Sequence, residues 1–238
     1  VTLRFGTDGV RGLVGVDLTP ELTLALGRIA ARVLARPGPD GNRRFVIGRD
    51  TRRSGPLLQA ALTAGLLAEG VEVVDVGVLP TPGVATLSAV YDCPAAVISA
   101  SHNPFPDNGI KLFAVGGRKL DDGAEAEIEE RLAALMALAT PGTAPATPGT
   151  APAAPGTVAT AVTGAAVGTL RLDPEARGWY CRQLVAGLQG RRLDGVRVVL
   201  DCGHGAASVV ATDVFGDAGA DVVEALGVEP DGCNINAG

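Results

Sequence analysis

The sequence predicts an α/β protein: a three-layer α/β/α domain with a mixed, largely parallel sheet, followed by an incomplete second α/β domain of related type. Three observations carry this. Short apolar runs of strand length alternate with stretches of helix length, the order that builds strand–helix–strand units with parallel strands. Only 3% of residues are aromatic while 47% are hydrophobic, so the core is built from Ala, Val, Leu and Ile, the usual filling of helix-covered parallel sheet. A Pro, Ala, Thr and Gly tract then separates the pattern into residues 1–139, a linker or surface loop at 140–168, and a second unit at 169–238.

The elements follow in order. Arg4 to Gly12 holds too many glycines for a comfortable helix and reads as a loop with close backbone approach to another group. Residues 20 to 36 read as a helix, with Pro20 in its first turn, Leu22, Leu26, Ile29, Ala30 and Val33 along it, and Pro37-Gly38 as the stop. Arg44 to Gly48 is a short buried strand, followed by Asp50-Thr51-Arg52-Arg53-Ser54-Gly55, a helix from about Pro56 to Glu69 and a strand from Val71 to Val76. A third apolar run, Ala95 to Ser99, ends at Ser101. A strand near Ile110 to Phe113, a Gly116-Gly117 turn and a helix from about Asp122 to Leu138 complete the first unit. Thr140-Pro141-Gly142-Thr143 recurs as Thr147-Pro148-Gly149-Thr150 in an uncharged tract with little large apolar surface to set against its ordering entropy. Beyond it, a new unit begins near Leu170, with a helix from Pro174 to Leu188 and strands from Val196 to Leu200 and Asp221 to Ala225. One such strand–helix–strand unit cannot cover both faces of its sheet, so the second domain is expected to be cut off.

The formal net charge of −6, with no basic run, argues against nucleic acid as a partner, because binding a phosphate backbone needs clustered Lys and Arg. Small phosphorylated ligands need only a few well-placed cations. The four cysteines, Cys93, Cys181, Cys202 and Cys233, show no CxxC, which points away from zinc and from a disulfide framework. No apolar stretch approaches the roughly 20 residues that span a bilayer, and no signal peptide precedes Val1, so no membrane partner and a cytoplasmic location are expected.

The chemistry centres on Ser101, in Ser99-Ala100-Ser101-His102-Asn103-Pro104, just past the carboxyl end of a buried strand. That is the crevice side of an open α/β sheet. A serine hydroxyl is a weak nucleophile unless activated or already phosphorylated; as a phosphoserine it becomes a donor whose neighbours must neutralise charge on the phosphoryl oxygens. Lys111 offers a compact movable charge that would orient phosphate or exchange a proton with a hydroxyl, and Arg11 offers a rigid fork for phosphate oxygens. Arg49 and Arg52, leaving the strand that ends at Gly48, are further phosphate candidates. Taken alone, Ser101-His102 also fits a capped turn, and Arg11 a structural ion pair. No Gly-x-Ser-x-Gly elbow is present, and Asp201-Cys202-Gly203-His204-Gly205-Ala206-Ala207 lacks the Gly-Lys-Ser/Thr ending of a Walker A loop.

Phe5-Gly6-Thr7-Asp8-Gly9-Val10-Arg11-Gly12, Ile98-Ser99-Ala100-Ser101-His102-Asn103-Pro104 and Asp107-Asn108-Gly109-Ile110-Lys111, with the closing Pro230 to Asn236, resemble the α-D-phosphohexomutase family. The resemblance implies a four-domain enzyme whose serine, here Ser101, is phosphorylated in the resting state and binds Mg2+ through its phosphate. It gives Lys111 the general acid/base role, Arg11 the support of the phosphoserine, and His102 a place in the same electrostatic cluster, with Arg11, Lys111 and Asn103 toward substrate. The implied reaction converts glucosamine 6-phosphate to glucosamine 1-phosphate through a sugar bisphosphate, for UDP-N-acetylglucosamine and peptidoglycan synthesis. Glucosamine or glucose 1,6-bisphosphate serves as intermediate and activator, small phosphorylated sugars are the partners, and a homodimer stays open. Mutases of mannose or glucose phosphate, or a non-catalytic binding protein on the same fold, are the alternatives. The aspartate cluster with which the family holds magnesium does not occur up to Gly238, and His204 stands where the family usually has asparagine. On this reading the 238-residue chain alone is inactive.

Overall fold

The computed structural model of the chain describes residues 9–38, 40–139 and 162–237. Arg4 to Asp8 of the glycine-rich motif, and residues 140–161 of the expected linker, lie outside the described residues.

In chain order the elements are β1 (Val10–Leu13), α1 (Pro20–Leu34), β2 (Arg44–Arg49), α2 (Gly55–Leu67), β3 (Glu72–Val78), α3 (Thr81–Val90), β4 (Ala95–Ile98), β5 (Asp107–Ala114), β6 (Arg118–Lys119), α4 (Asp122–Ala139), β7 (Leu170–Leu172), α5 (Ala176–Ala186), β8 (Arg197–Asp201), α6 (Ala211–Asp217) and β9 (Asp221–Leu226). Local chemistry explains several boundaries. Thr19 caps α1 by accepting from the Leu22 amide at 3.3 Å, and Pro20 follows in the first turn, where its missing N–H costs nothing. Asp121 accepts from the Ala124 amide at 2.8 Å at the start of α4.

Seven strands form one sheet in the order β1-β5-β4-β2-β3-β7, with β6 paired to β5. Strands β7, β3, β2 and β4 run parallel, while β5 is antiparallel to β4 and β1 antiparallel to β5. Helices α1, α2 and α4 bury Leu26, Leu62 and Ile128 against one face, shared with Phe45, Ile47 and Ile110 of the strands. Helices α3 and α5 cover the other face with Val84, Leu87 and Tyr180 against Val46, Val74 and Val97. Each such fully buried aliphatic side chain stabilises the fold by roughly 1.5–3 kcal/mol of transfer free energy. Helices α1 and α2 approach so closely that a Cβ on Gly65 would lie 2.2 Å from the Leu24 carbonyl oxygen, and one on Gly27 2.4 Å from that of Leu62.

Three expectations need correction. The amino-terminal motif is not all loop: Val10–Leu13 pairs antiparallel with β5, Arg11 facing Gly109 in register, because a distant partner supplies its hydrogen bonds. Thr81–Val90, to which the sequence reading assigns nothing, is a helix; its apolar residues have no clear helical period, so the signal was missing. Leu170–Leu172, read as the opening of the second unit, hydrogen-bonds along β3 and extends the first sheet. The second unit's own sheet has two parallel strands, β8 and β9, with α6 between them in sequence. Among the described residues no helix is long and apolar enough to cross a membrane.

Candidate active site

The carboxyl ends of β2, β4 and β3 lie side by side, and the chain leaves each through a loop. The loop after β4 carries Ser101, which is exposed and adopts φ 55°, in the left-handed region that an L side chain rarely enters. Its amide donates to Ser99 Oγ at 3.1 Å. The Asn103 amide donates to the Ala100 carbonyl at 3.1 Å, and the Asn103 side-chain amide to Asp107 Oδ2 at 3.0 Å, closing the loop on itself.

Underneath runs Arg52, wholly buried at 0% exposure. All five of its guanidinium N–H groups have acceptors. Nε donates to Asp50 Oδ2 at 3.0 Å, Nη1 to the carbonyls of Pro104 (2.6 Å) and Asp107 (3.1 Å), and Nη2 to those of Ser101 (3.0 Å) and Asn103 (2.8 Å). Asp50 is 4% exposed and also accepts from the Arg52 amide at 3.0 Å. Arg52 therefore donates to four of the loop's inward carbonyls at once, a task that its planar five-donor fork suits and a lysine ammonium does not. This corrects the expectation that Arg52 contacts phosphate, since it has no donor left for a ligand. Arg49 is likewise engaged, with Nε on Gln59 Oε1 at 2.9 Å and Nη1 on the Asp50 carbonyl at 3.3 Å. Asp50-x-Arg52 gave no sequence signal of burial, because charged loop residues are ordinarily exposed.

Arg11 and Lys111 approach from the strands on the far side of β4. Register sets Arg11 opposite Gly109 and Lys111 opposite Val97, and the Ser99 amide bonds to the Gly109 carbonyl at 2.9 Å. Arg11, Ser99, Val97 and Lys111 thus share the sheet face that α3 covers. Gly109 makes room for this arrangement: a Cβ there would lie 2.8 Å from Arg11 Cγ and 2.8 Å from the Ser99 carbonyl oxygen. The stem of Arg11 therefore crosses Gly109 toward β4. Lys111 is half-buried, with its ammonium 5.8 Å from the centre of the Phe113 ring. Asn108, fully buried, donates to Ser54 Oγ at 2.9 Å and so ties the start of α2 to β5.

A cavity of about 290 Å³ opens between this loop and the second unit, lined by Ser99, Ser101 and His102 on one side and Gly205, Ile235 and Asn236 on the other. Arg11, Lys111 and Asn103 are not part of its lining, so the structure brings together Ser101 and His102 there and sets the two cations on adjacent strands. Asn236, which the sequence places in the closing motif but not in the site, donates to the Ser101 carbonyl at 2.9 Å. The second unit is braced further by Thr51 Oγ1 donating to the His204 carbonyl at 2.5 Å, and by the Arg53 amide donating to the Gly232 carbonyl at 2.8 Å.

Among the described residues no three His, Cys, Asp or Glu side chains gather as a metal site. These residues by themselves do not fit a magnesium ion. The four cysteines are free thiols, and burial pushes the Cys93 thiol up to about 12, leaving it inert.

A sheet covered by helices on both faces, with a serine loop at its crevice end, makes this an α/β/α domain, and the chain belongs to the phosphoglucomutase/phosphomannomutase family, whose alpha/beta/alpha domain I matches residues 2–138. Among particular proteins it is similar to the phosphoglucosamine mutase of Rhodococcus jostii, 50% identical over 233 residues that cover 98% of this chain and 47% of that protein. It is 48% identical over 235 residues to the phosphoglucosamine mutase of Mycobacterium tuberculosis, covering 98% of this chain and 48% of that protein. A solved phosphoglucomutase/phosphomannomutase family protein from Burkholderia thailandensis superposes with a TM-score of 0.70 at 27% identity, over 96% of this chain and 44% of that one. The open form of the phosphoprotein parafusin from Paramecium shares the fold with a TM-score of 0.60 at 16% identity, over 97% of this chain and 44% of that one. The chain spans about half the length of the curated relatives it matches.

Proposed function

We propose that this chain supplies the phosphoryl-carrying part of a mutase that interconverts glucosamine 6-phosphate and glucosamine 1-phosphate, with Ser101 as the carrier. The observation that carries the reading is the presentation of Ser101: an exposed hydroxyl in the left-handed region, at the crevice end of a parallel strand, on a loop held from beneath by a buried arginine. Strain that the surrounding structure holds in place at an exposed, reactive side chain is the pattern that supports a functional reading.

In the reaction the bond between phosphorus and the Ser101 oxygen breaks as a sugar hydroxyl oxygen bonds to phosphorus, giving a 1,6-bisphosphate. The hydroxyl proton passes by way of Lys111, the general acid/base of this reading, and ends on the serine oxygen. The bisphosphate then turns and returns its other phosphoryl group to Ser101. Arg11, on the same sheet face as Ser99, offsets charge on the phosphoryl oxygens. His102 lies at the cavity mouth beside Ser101. The described residues hold no carboxylate cluster that fits magnesium, so no step of this reading passes through the metal. The preference for glucosamine rests on the relatives at about half identity.

Peptide mapping of the whole protein should find phosphate on Ser101, and Ser101→Ala should bring turnover to background. A fully active enzyme without phosphate at Ser101 through its cycle would sink the assignment. Comparing kcat/KM for glucosamine, glucose and mannose phosphates tests the substrate, with a clear preference for a neutral sugar deciding against it. Residues 1–238 alone, given magnesium and sugar bisphosphate, should stay near background.

A further inference from the structure

The direction of the Ser101 side chain is set by the two peptide planes that flank its Cα. The plane before it is fixed by its N–H, which donates to Ser99 Oγ at 3.1 Å. The plane after it is fixed by its carbonyl, on which two donors from different parts of the chain converge. Arg52 Nη2 reaches it at 3.0 Å from the buried side, and Asn236 Nδ2 at 2.9 Å from the solvent side. Both donors also reach the Asn103 carbonyl, at 2.8 Å and 3.4 Å. With both planes pinned, the disfavoured φ of 55° persists and the Cα–Cβ bond that carries the hydroxyl has one direction.

The two donors differ in what holds them. Arg52 is locked to Asp50 inside the first domain. Asn236 belongs to the second unit, whose seat on the first is fixed by the bonds from Thr51 to His204 and from Arg53 to Gly232. The amide of Asn236 itself donates to the Gly203 carbonyl at 2.8 Å, so its side chain is carried by the turn after β8.

We propose that Asn236 is a positioning residue for the phosphoryl-carrying serine, completing with Arg52 a two-sided hold on the Ser101 carbonyl that makes the aim of the hydroxyl depend on the seating of the second unit. This rests on the reading of Ser101 as the carrier.

The test uses the whole protein. Asn236→Ala removes an exposed donor at a left-handed position (φ 58°) and should lower Tm only modestly, by about the worth of one or two hydrogen bonds. Misaiming the phosphoryl group should lower kcat by about 10- to 100-fold, with KM for the sugar phosphate within about twofold. Asn236→Asp keeps the shape but sets a carboxylate against two carbonyl oxygens, so its kcat should fall below that of Asn236→Ala at neutral pH. Its kcat relative to Asn236→Ala should rise again as acid protonates the carboxyl and restores a donor. A purely structural role would leave that pH-dependent ratio flat. Hydrogen exchange at the Asn103 and Asp107 amides should quicken in Asn236→Ala.

Ser101→Ala is measured alongside. If it is inactive while Asn236→Ala and Asn236→Asp keep wild-type kcat, the positioning role is overturned and the carrier reading stands. If Ser101→Ala turns over normally, the carrier reading falls and the positioning role with it.

Discussion

Two turns of this chain leave the carboxyl end of a parallel strand and carry a non-glycine residue in the left-handed region: Ser101 at φ 55° after β4, and His204 at φ 53° after β8. They are held in different ways. The His204 turn is stitched mainly by its own backbone and neighbours. Its amide donates to the Gly227 carbonyl at 2.7 Å, the Gly203 amide donates to Asp201 Oδ1 at 2.9 Å, and its carbonyl accepts from Thr51. The Ser101 turn instead sits on a buried guanidinium whose five donors are all occupied, backed by a buried carboxylate. A turn that only connects elements can be closed with local bonds. One that presents an exposed hydroxyl toward a cleft leaves its inner carbonyls facing the protein, and those carbonyls need a donor array that local backbone cannot provide.

The largest expected effect breaks that array. Arg52→Leu strips four loop carbonyls of a partner and leaves Asp50 buried without its counter-charge, so stability should fall by roughly 3–5 kcal/mol. Urea unfolding measures it, and a loss no larger than that of an ordinary surface change would mean the two turns are held alike. A reference for both comes from Glu69, which touches neither turn and ties α2 to α1 through Arg28 and Arg32 at 2.8 Å. Burial pushes its carboxyl up, but the bonds from Arg32 and Arg28 outweigh this and hold it below its ordinary value of 4.5. The depressed folded-state value means its contribution is complete above the unfolded-state value and is lost as pH falls through the folded one. Glu69→Gln should therefore cost about 1–3 kcal/mol at neutral pH, and the gap to wild type should close in acid. A gap that is constant with pH would refute the charge-based account.

Thr51→Val isolates the second turn's brace and should cost about 1 kcal/mol, the worth of one hydrogen bond, seen as a small drop in Tm. The smallest effect sharpens the comparison most. His204→Gly relieves a left-handed L residue and should be neutral or stabilising by up to about 1–2 kcal/mol. Ser101→Gly should gain similarly in stability while losing turnover. A destabilised Ser101→Gly would show that the serine hydroxyl itself supports the loop.

Much of this was legible in the sequence because it depends on local signals. The runs Arg44 to Gly48 and Ala95 to Ser99 are short, apolar and bounded by turn residues, and both became buried parallel strands. Pro20 announced a helix start, and the Ser99 to Pro104 motif announced a loop at the crevice end of its strand. Other elements carried no local signal. Val10–Leu13 is a strand only because β5 runs beside it, and Leu170–Leu172, three exposed residues, is a strand only because β3 offers an open edge.

The sequence by itself determined the fold class, the place of Ser101 and the family, since residue type and spacing encode strands, turns and motifs directly. Only the tertiary structure decided what each charge does. Arg11, Arg49 and Arg52 look alike as letters, yet Arg11 crosses Gly109 on the sheet face of Ser99, Arg49 is engaged with Gln59, and Arg52 lies buried under the serine loop. The reason is that a guanidinium's role is set by which acceptors surround it and whether water reaches it. Both are properties of packing among segments far apart in the chain.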